Sequence, residues 1–322
     1  MASPARWASR CAGAILGLLA LAGPVAAQGW PDKPVRLIVG YAAGGGTDQQ
    51  ARALSKLLSE QLAQPFVVEN RAGGGGALGA MLAKAAPADG YTLYFSTSTT
   101  YTFEPLFAKV GYAGSDFRHV AIVAQFQEAM VAVPKAPWKD FRQLVDEAKA
   151  AKRDIKYASF YQLDRVTMGA IAKSAGIRII PVPVQGGNGV VAAVIGEQVD
   201  FGFTGGSWGP YVESGQLKLL ATGPSERLAE YPQVPTLKDL GYDVATEVYT
   251  VVSLPNDTPE PVVKRIESAL MQAAANPAYV NTVMGIGKMR HVLAGEAETS
   301  AIMARQASYY RKLAESVGQI AH

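Results

Sequence analysis

Short apolar runs alternate with longer stretches of helical periodicity through most of this 322-residue sequence, and this alternation limits the possible folds more than any other feature. The run Val35–Val39 is apolar apart from Arg36, as expected for a strand that is buried on both faces. Apolar residues then recur at helical spacing from Ala51 to Leu62. Strands that alternate with helices are typical of α/β folds. The sequence therefore predicts an α/β fold in which mainly parallel sheets are flanked by helices.

The same pattern continues along the chain and suggests two domains. Further strands are predicted at Phe66–Glu69, Tyr91–Phe95, Val120–Val123, Met130–Val133, Ile155–Ala158, Ile177–Val182, Val199–Phe203, Leu217–Thr222 and Tyr249–Leu254. Helices are predicted from a capping box at Thr47–Gln50 and over Phe141–Ala151, Val166–Ala175 and Glu298–Leu313. No long polar linker divides the chain, so two domains would be joined by short crossings. We expect one lobe from residues 28–127 plus 249–322 and a second from residues 128–248.

The first 27 residues have the pattern of an export signal. Two arginines, Arg6 and Arg10, precede an apolar run, Cys11–Ala22. Val25–Ala27 then supplies the small residues of a cleavage site. The mature chain is therefore expected to begin at Gln28, in the periplasm. A membrane anchor is the alternative, but the run is shorter than the ~20 residues that a span requires. Because Cys11 is the only cysteine, the mature chain would have no disulfide and no thiolate site.

Charge and histidine content exclude several kinds of partner and site. The chain has 30 Lys+Arg against 27 Asp+Glu and no basic patch, which argues against binding to nucleic acid. The three histidines, His119, His291 and His322, lack metal-ligand spacing, so neither a metal nor another cofactor is expected. A chain of this length can bury a core that needs no disulfides. We expect a monomer.

A glycine-rich loop follows the first predicted strand and leads into the first predicted helix. The glycines at positions 44–46 let the backbone turn sharply and approach a ligand closely. The N–H groups at the start of the helix are unpaired and carry partial positive charge. The loop from Tyr41 to Asp48 is therefore a candidate carboxylate or phosphate site, although an ordinary strand-to-helix turn would look the same. Asp48 is expected to pair with Arg52 along the helix.

The segment Gly205–Gly209 offers a catalytic alternative. It matches G-x-S-x-G, the nucleophile elbow of hydrolases, and Ser207, Asp257 and His291 could form a triad. The competing interpretation is a loop at the end of a strand that contacts a ligand through Thr204 and backbone N–H groups.

The second glycine cluster offers a dinucleotide-binding alternative. Gly74, Gly76 and Gly79 satisfy G-x-G-x-x-G after a predicted strand. The acidic residue expected about 20 positions later is missing, so a structural turn is favoured.

Several short segments, taken in order, resemble a known family. They are Trp30–Val39; Ala43–Gly45 with Asp48 and Ala51–Arg52; Val68–Arg71 with the glycine run that follows; Asp89–Leu93; Gly196–Asp200; and Val234–Leu237 with Gly241. In this order they are similar to the Bug family, the TctC-like periplasmic binding components of tripartite tricarboxylate transporters. The resemblance covers essentially the whole mature chain.

This resemblance implies a type II-like periplasmic binding protein, with two α/β lobes and a ligand cleft between them. It implies that the lobes close on a small organic carboxylate, aliphatic or aromatic, for membrane permease subunits or a sensor kinase, without catalysis. The glycine loop of the first lobe would hold one carboxylate through backbone N–H groups and ordered water.

The resemblance and the loop positions together suggest a set of ligand contacts. The expected contacts are Tyr41, Ala43, Gly44, Gly45, Thr47, Asp48, Ser96, Thr97, Ser98, Ser159, Phe160, Tyr161, Gln162, Gln185, Gly186, Thr204 and Gly205. The chain departs from the family at residues 159–164, usually rich in glycine and serine, and at Val184-Gln185, usually a tyrosine-lysine pair. We hypothesise that Phe160 and Tyr161 narrow the pocket or stack on a planar ligand, or else pack against the hinge. Gln162 or Gln185 would supply neutral hydrogen bonds.

Overall fold

Two five-stranded sheets with helices around them form the protein. The computed structural model describes residues 29–285 and 288–318, so the predicted signal at residues 1–27 and His322 lie outside the described residues. The strands are β1 (Val35–Val39), β2 (Phe66–Asn70), β3 (Thr92–Thr97), β4 (Phe117–Phe126), β5 (Ala129–Ala132), β6 (Ile155–Ser159), β7 (Ile179–Pro183), β8 (Phe201–Thr204), β9 (Lys218–Thr222) and β10 (Val248–Pro255). Each predicted strand overlaps one of these.

The helices connect and cover the strands. They are α1 (Gly46–Leu62), α2 (Ala77–Lys84), α3 (Thr99–Thr102), α4 (Phe141–Ala150), α5 (Gln162–Ala175), α6 (Gly186–Ile195), α7 (Gly209–Glu213), α8 (Glu260–Ala274), α9 (Pro277–Gly285) and α10 (Glu296–Ser316). Short 3-10 turns cover Gly74–Gly76, Glu104–Leu106 and Gly114–Asp116. None of the helices in the described part of the chain combines the length and apolar character needed to cross a bilayer.

The two sheets share one topology. The first has the order β2-β1-β3-β10-β4 and the second the order β7-β6-β8-β5-β9. In each, the fourth strand, β10 or β5, runs antiparallel to both of its neighbours, and the other observed pairings are parallel. The sheets are therefore mixed, with four strands of each pointing the same way. This confirms the predicted α/β class and adds one reversed strand to each sheet.

The chain passes from one sheet to the other twice. It crosses between β4 and β5 and returns between β9 and β10, so the second sheet consists of residues 129–222. The exact lobe boundaries, 28–127 plus 249–322 and 128–248, stay a prediction.

Helix α10 packs against the apolar clusters of both sheets. Met303 belongs to a buried cluster with Ile38 and Tyr94 of the first sheet. Tyr310 and Leu313, further along the same helix, belong to the cluster that forms the core of the second sheet. The helix therefore packs against both lobes, with its N-terminal half on the first and its C-terminal half on the second.

The start of α1 differs from the predicted capping box. The helix begins at Gly46, Gly45 is the N-cap with an extended backbone (φ −74°, ψ 165°), and no side chain caps it. The prediction of Thr47 as N-cap is therefore wrong. The loop is fixed instead by Asp48, whose carboxylate accepts the N–H of Gly44 at 2.8 Å, while Gly44 adopts a left-handed conformation (φ 80°).

Candidate functional site

A cleft between the two sheets has an outer and an inner part. The outer part has a volume of about 760 Å³ and the inner part about 210 Å³. Both parts are lined by residues of the two lobes, and they share the walls Gly46, Phe126, Gly187, Gly205 and Ser207. The combined volume is typical of a site for a small molecule.

The N-terminus of α1 opens onto this cleft from the first lobe. Residues 42–46 line the outer part, and Gly46 and Thr47 line the inner part. The N–H groups at the first three positions of a helix have no acceptor within it, and the helix dipole adds positive potential there. Asp48 itself is buried and bound to Arg52 at 3.0 Å, which confirms the predicted pair.

The N-terminus of α6 opens onto the same cleft from the second lobe. Gln185, Gly186, Gly187 and Asn188 line the outer part, and no side chain caps this helix. The two helix N-termini therefore provide free amides on opposite walls. No lysine, arginine or histidine of residues 29–285 or 288–318 lines either part of the cleft. The positive potential in the cleft comes from backbone dipoles, which suits a small anion.

Hydroxyl groups and aromatic rings line the inner part. Tyr41 Oη donates to the carbonyl of Gly75 at 3.3 Å and lies 2.6 Å from Thr97 Oγ1, which is 2.8 Å from Thr99 Oγ1. Burial raises the pKa of Tyr41, so its phenol stays protonated. The hydroxyl of Thr204 is buried and has no hydrogen-bond partner among the described residues.

One carboxyl group lies among these hydroxyls and rings. Glu128 precedes β5, is only 2% exposed, and accepts a hydrogen bond from Tyr161 Oη on its Oε1. Burial raises the pKa of Glu128 to about 8, and the negative charges of Asp164 and Glu247 add to this rise. The nearby Thr246 hydroxyl offsets part of it, although no hydrogen bond of good geometry joins Thr246 to the Glu128 Oε2.

A buried carboxylate fixes the loop that carries Phe160 and Tyr161. Asp164 accepts hydrogen bonds from the N–H groups of Phe160 (2.9 Å) and Tyr161 (3.2 Å) and from the hydroxyls of Ser159 (2.6 Å) and Tyr157 (3.1 Å). Burial raises its pKa to about 6, and these hydrogen bonds oppose the rise. The rings of Phe160 and Tyr161 lie 4.2 Å apart between centroids and line the inner part. The Asp164 carboxylate thus binds the N–H groups just before α5. This holds the loop so that the rings of Phe160 and Tyr161 line the inner part of the cleft.

The structure brings most of the predicted contacts together in the cleft walls. Those that line it are Tyr41, Ala43, Gly44, Gly45, Thr47, Thr97, Phe160, Tyr161, Gln185, Gly186, Thr204 and Gly205. Asp48, Ser96, Ser98, Ser159 and Gln162 do not line it, because their side chains are bound within the protein: to Arg52, Thr100, the Tyr249 N–H, Asp164 and Arg165 respectively. Direct contact of any of these residues with a ligand stays a prediction.

Sequence reasoning missed several residues of the wall. Glu128, Phe126, Asn188 and Tyr211 line the cleft, and so does Ser207, which the sequence suggested as a nucleophile and not as a wall residue. The sequence could have indicated Glu128, because it is a single acidic residue directly before the apolar run Ala129–Val133. Burying an acid beside a buried strand is costly, so such a position suggests a function.

The hydrolase alternative finds no support in the geometry. His291 Nε2 lies 2.8 Å from the carbonyl oxygen of Ala274, and His291 lines a separate cavity of about 420 Å³. Asp257 is exposed in the turn after β10. Ser207 therefore has no histidine of the described chain beside it in the cleft.

The second glycine cluster packs against the first sheet and does not line the cleft. The carbonyl of Gly76 accepts from Tyr94 Oη at 2.6 Å, and a Cβ at Gly79 would lie 2.8 Å from the Tyr94 ring. These glycines allow close packing, as the structural interpretation of the motif requires.

Related sequences resemble this chain over most of its length. The uncharacterised protein encoded in the gbd 5′ region of Cupriavidus necator is 32% identical over 85% of this chain and 85% of its own length. The protein BugT of Bordetella pertussis is 29% identical over 83% of this chain and 85% of its own length.

Solved structures show the same fold. A periplasmic transporter structure is 28% identical, has a TM-score of 0.78, and covers 89% of this chain and 97% of that chain. The protein Rpa4515 of R. palustris, solved with adipate, has a TM-score of 0.79 at 23% identity and covers 91% and 99%. The model of the tripartite tricarboxylate transporter family receptor matches residues 50–318. This chain belongs to the tripartite tricarboxylate transporter receptor family, the TctC-like, Bug-type solute-binding proteins.

Proposed function

We propose that this protein binds a small organic carboxylate in the cleft and presents it to permease subunits of a tripartite transporter or to a sensor kinase. The observation that carries the proposal is the convergence of two uncapped helix N-termini on a cleft that no basic side chain of the described residues lines. Amides held rigidly at helix ends stabilise a carboxylate through charge-assisted hydrogen bonds. The adipate bound to the related fold is consistent with a ligand of this class.

Closure of the two lobes on the ligand would produce the form that the permease subunits or the sensor kinase recognise. Ion pairs join the lobes at the rim: Lys288 to Glu213 (2.6 Å) and Glu230 (3.2 Å), and Arg290 to Glu226 (2.8 Å). Exposed pairs of this kind are weak individually and are screened by salt. They would add a small bias to a closed state that the ligand itself selects.

We also propose that the protein is exported to the periplasm. Solved structures with the same fold are described as a periplasmic transporter and as the periplasmic binding protein BugD, and the first 27 residues have the features of a cleaved signal. The N-terminal sequence of protein recovered from the periplasm would test cleavage before Gln28.

Replacing Gly46 with proline should weaken carboxylate binding at least about tenfold, since a hydrogen bond to a charged group contributes about 1.5–3 kcal/mol. Proline is tolerated at the first position of a helix, and the extended backbone of Gly45 is compatible with it. The substitution removes one N–H from the cleft and leaves the helix in place. Calorimetric titration of protein refolded without ligand, against succinate, malate, glutarate, adipate and benzoate, measures the effect.

Gly46→Ala is the matched control because it keeps the N–H group. It should bind like the unaltered protein, and both variants should retain the unaltered circular-dichroism spectrum. Equal affinities for Gly46→Pro and the unaltered protein would contradict the role of this amide. If none of these acids binds, and no trimethylammonio carboxylic acid binds either, the proposed function is wrong.

We also propose that the cleft performs no ester hydrolysis. Ser207→Ala should leave the background turnover of p-nitrophenyl acetate and butyrate unchanged, because no histidine of the described chain lines the cleft to activate the hydroxyl. A spectrophotometric assay decides this, and turnover that disappears in Ser207→Ala would refute it.

A further inference from the structure

The inner part of the cleft differs in polarity from the outer part. The outer part presents backbone amides and two glycine-rich helix starts. The inner part presents the rings of Phe126, Phe160 and Tyr161 and the carboxyl group of Glu128. The cleft therefore has backbone donors in its outer part, whereas its inner part adds an acidic group and aromatic rings to the hydroxyl groups that line it.

Only one of the two carboxyl oxygens of Glu128 has a hydrogen-bond partner in the described chain. Its Oε1 accepts from Tyr161, but its Oε2 is buried without a hydrogen-bond partner in the described chain. No lysine, arginine or histidine pairs with it among the ion pairs of the described residues. Burying an unpaired carboxyl group is costly, so its retention at a cavity wall points to a partner that comes from outside the protein.

The rings indicate the charge of that partner. The faces of Phe and Tyr rings carry negative potential and attract cations, including quaternary ammonium groups, within about 6 Å. Phe126 lies beside Glu128, because a Cβ at Gly205 would be 3.5 Å from the Phe126 ring and 3.9 Å from Glu128 Oε1. A cation placed here would lie against these rings and would pair with the ionised form of Glu128, whereas a second carboxylate would gain neither interaction.

We infer that the ligand is a zwitterion whose carboxylate contacts the amides at Gly46 and Gly187 and whose cationic nitrogen lies against Glu128, between Phe126, Phe160 and Tyr161. The inference rests on the proposed function, since it places the carboxylate in the same cleft. It narrows the substrate class to carboxylic acids that carry an ammonium or alkylammonium group. The inner volume of about 210 Å³ accommodates a head group of a few heavy atoms.

Proton release should accompany binding. The pKa of Glu128 is raised to about 8 without ligand, so the group is mostly protonated at pH 7. A cation beside it favours the charged form and displaces the proton. The titratable groups that face Glu128 are Tyr161, Asp164, Glu247 and Tyr310, and none of them carries a positive charge.

Matched isosteres test the charge directly. Trimethylammonio-acetate, -propanoate and -butanoate would each be titrated calorimetrically against the acid in which a tert-butyl group replaces the trimethylammonium group. The head groups have the same shape and differ in charge. At least one trimethylammonio acid should bind about tenfold more tightly than its tert-butyl partner. Titration at pH 7 in buffers of different ionisation enthalpy should show release of up to one proton.

Two variants assign the effect to Glu128. Glu128→Gln keeps the shape and removes the charge, so both isosteres should bind with equal affinity and proton release should vanish. Glu60→Gln makes the same change in net charge on the exposed face of α1 and should keep the preference and the proton release.

The outcomes separate this inference from the function on which it rests. Binding of dicarboxylates or tert-butyl acids as tight as that of the trimethylammonio acids overturns the cation site and leaves the carboxylate receptor standing. A cation preference that survives in Glu128→Gln also overturns it. If none of the zwitterions, dicarboxylates or simple acids binds, both the proposed function and the cation site fail.

Discussion

Replacing Trp208 with alanine is expected to lower the free energy of unfolding by about 3–5 kcal/mol, the range typical of a large aromatic residue removed from a core. Trp208 is the largest fully buried side chain, and its ring meets Tyr231 edge-on at 5.6 Å. Its Nε1 donates to the carbonyl of Gln127 at 2.9 Å. The substitution removes the ring and leaves this carbonyl unpaired, next to Glu128.

Urea unfolding followed by circular dichroism would measure this loss. Trp138→Ala is the matched control, since Trp138 is only partly buried and contacts Arg153 near the surface (5.8 Å from ring centroid to Cζ). It should cost clearly less than Trp208→Ala. Equal losses for the two variants would contradict the expectation that the buried ring of Trp208 stabilises the protein more than the partly buried ring of Trp138.

Replacing Glu128 with glutamine is expected to stabilise the unliganded protein at pH 8.5, by on the order of 4–5 kcal/mol. The pKa of Glu128 is raised from 4.5 to about 8 in the folded protein, so the folded state binds the proton more tightly than the unfolded state. The contribution of this group to stability is therefore complete below about pH 4.5 and is lost as the pH rises through about 8. Glutamine keeps the hydrogen bond from Tyr161 and does not ionise.

The measurement is the difference in unfolding free energy between the variant and the unaltered protein from pH 4.5 to pH 8.5. It should be near zero at the acid end and grow with pH. Glu104, whose pKa is raised to about 7, titrates in both proteins. The charge of Asp164, whose pKa is raised to about 6, interacts with Glu128, so the difference also contains the response of Asp164 to the substitution. A difference for Glu128→Gln that does not change with pH would contradict the raised pKa of its carboxyl group.

Local sequence patterns were sufficient to predict the strands and the first wall of the cleft. The run Val35–Val39 is fully apolar apart from Arg36, and β1 occupies the same residues. The glycines at positions 44–46 form the turn and helix start that open onto the cleft. The strand and the glycine turn each depend on residues that are adjacent in the chain, so a short segment of sequence is enough to predict them.

The features that local patterns could not predict depend on contacts between distant segments. The orientation of Asp48 away from the cleft is set by Asn70, 22 residues later, whose amide donates to the carboxylate at 2.9 Å. The burial of Glu128 depends on Tyr161, Gly205 and Gly223, which the fold brings together from three connections. The reversed strand in each sheet likewise depends on which strands lie side by side, and these strands are distant in the sequence.

Helix α10 has a consequence for the synthesis of the chain. The second lobe is nearly continuous in sequence, yet Tyr310 and Leu313 of the last helix complete its apolar core, and β10 lies between β3 and β4 in the first sheet. On the ribosome the first sheet therefore lacks its fourth strand, and the core of the second sheet lacks Tyr310 and Leu313, until these late segments emerge. Late closure of this kind keeps the polypeptide extended long enough to be threaded through a narrow channel, which export in an unfolded form requires.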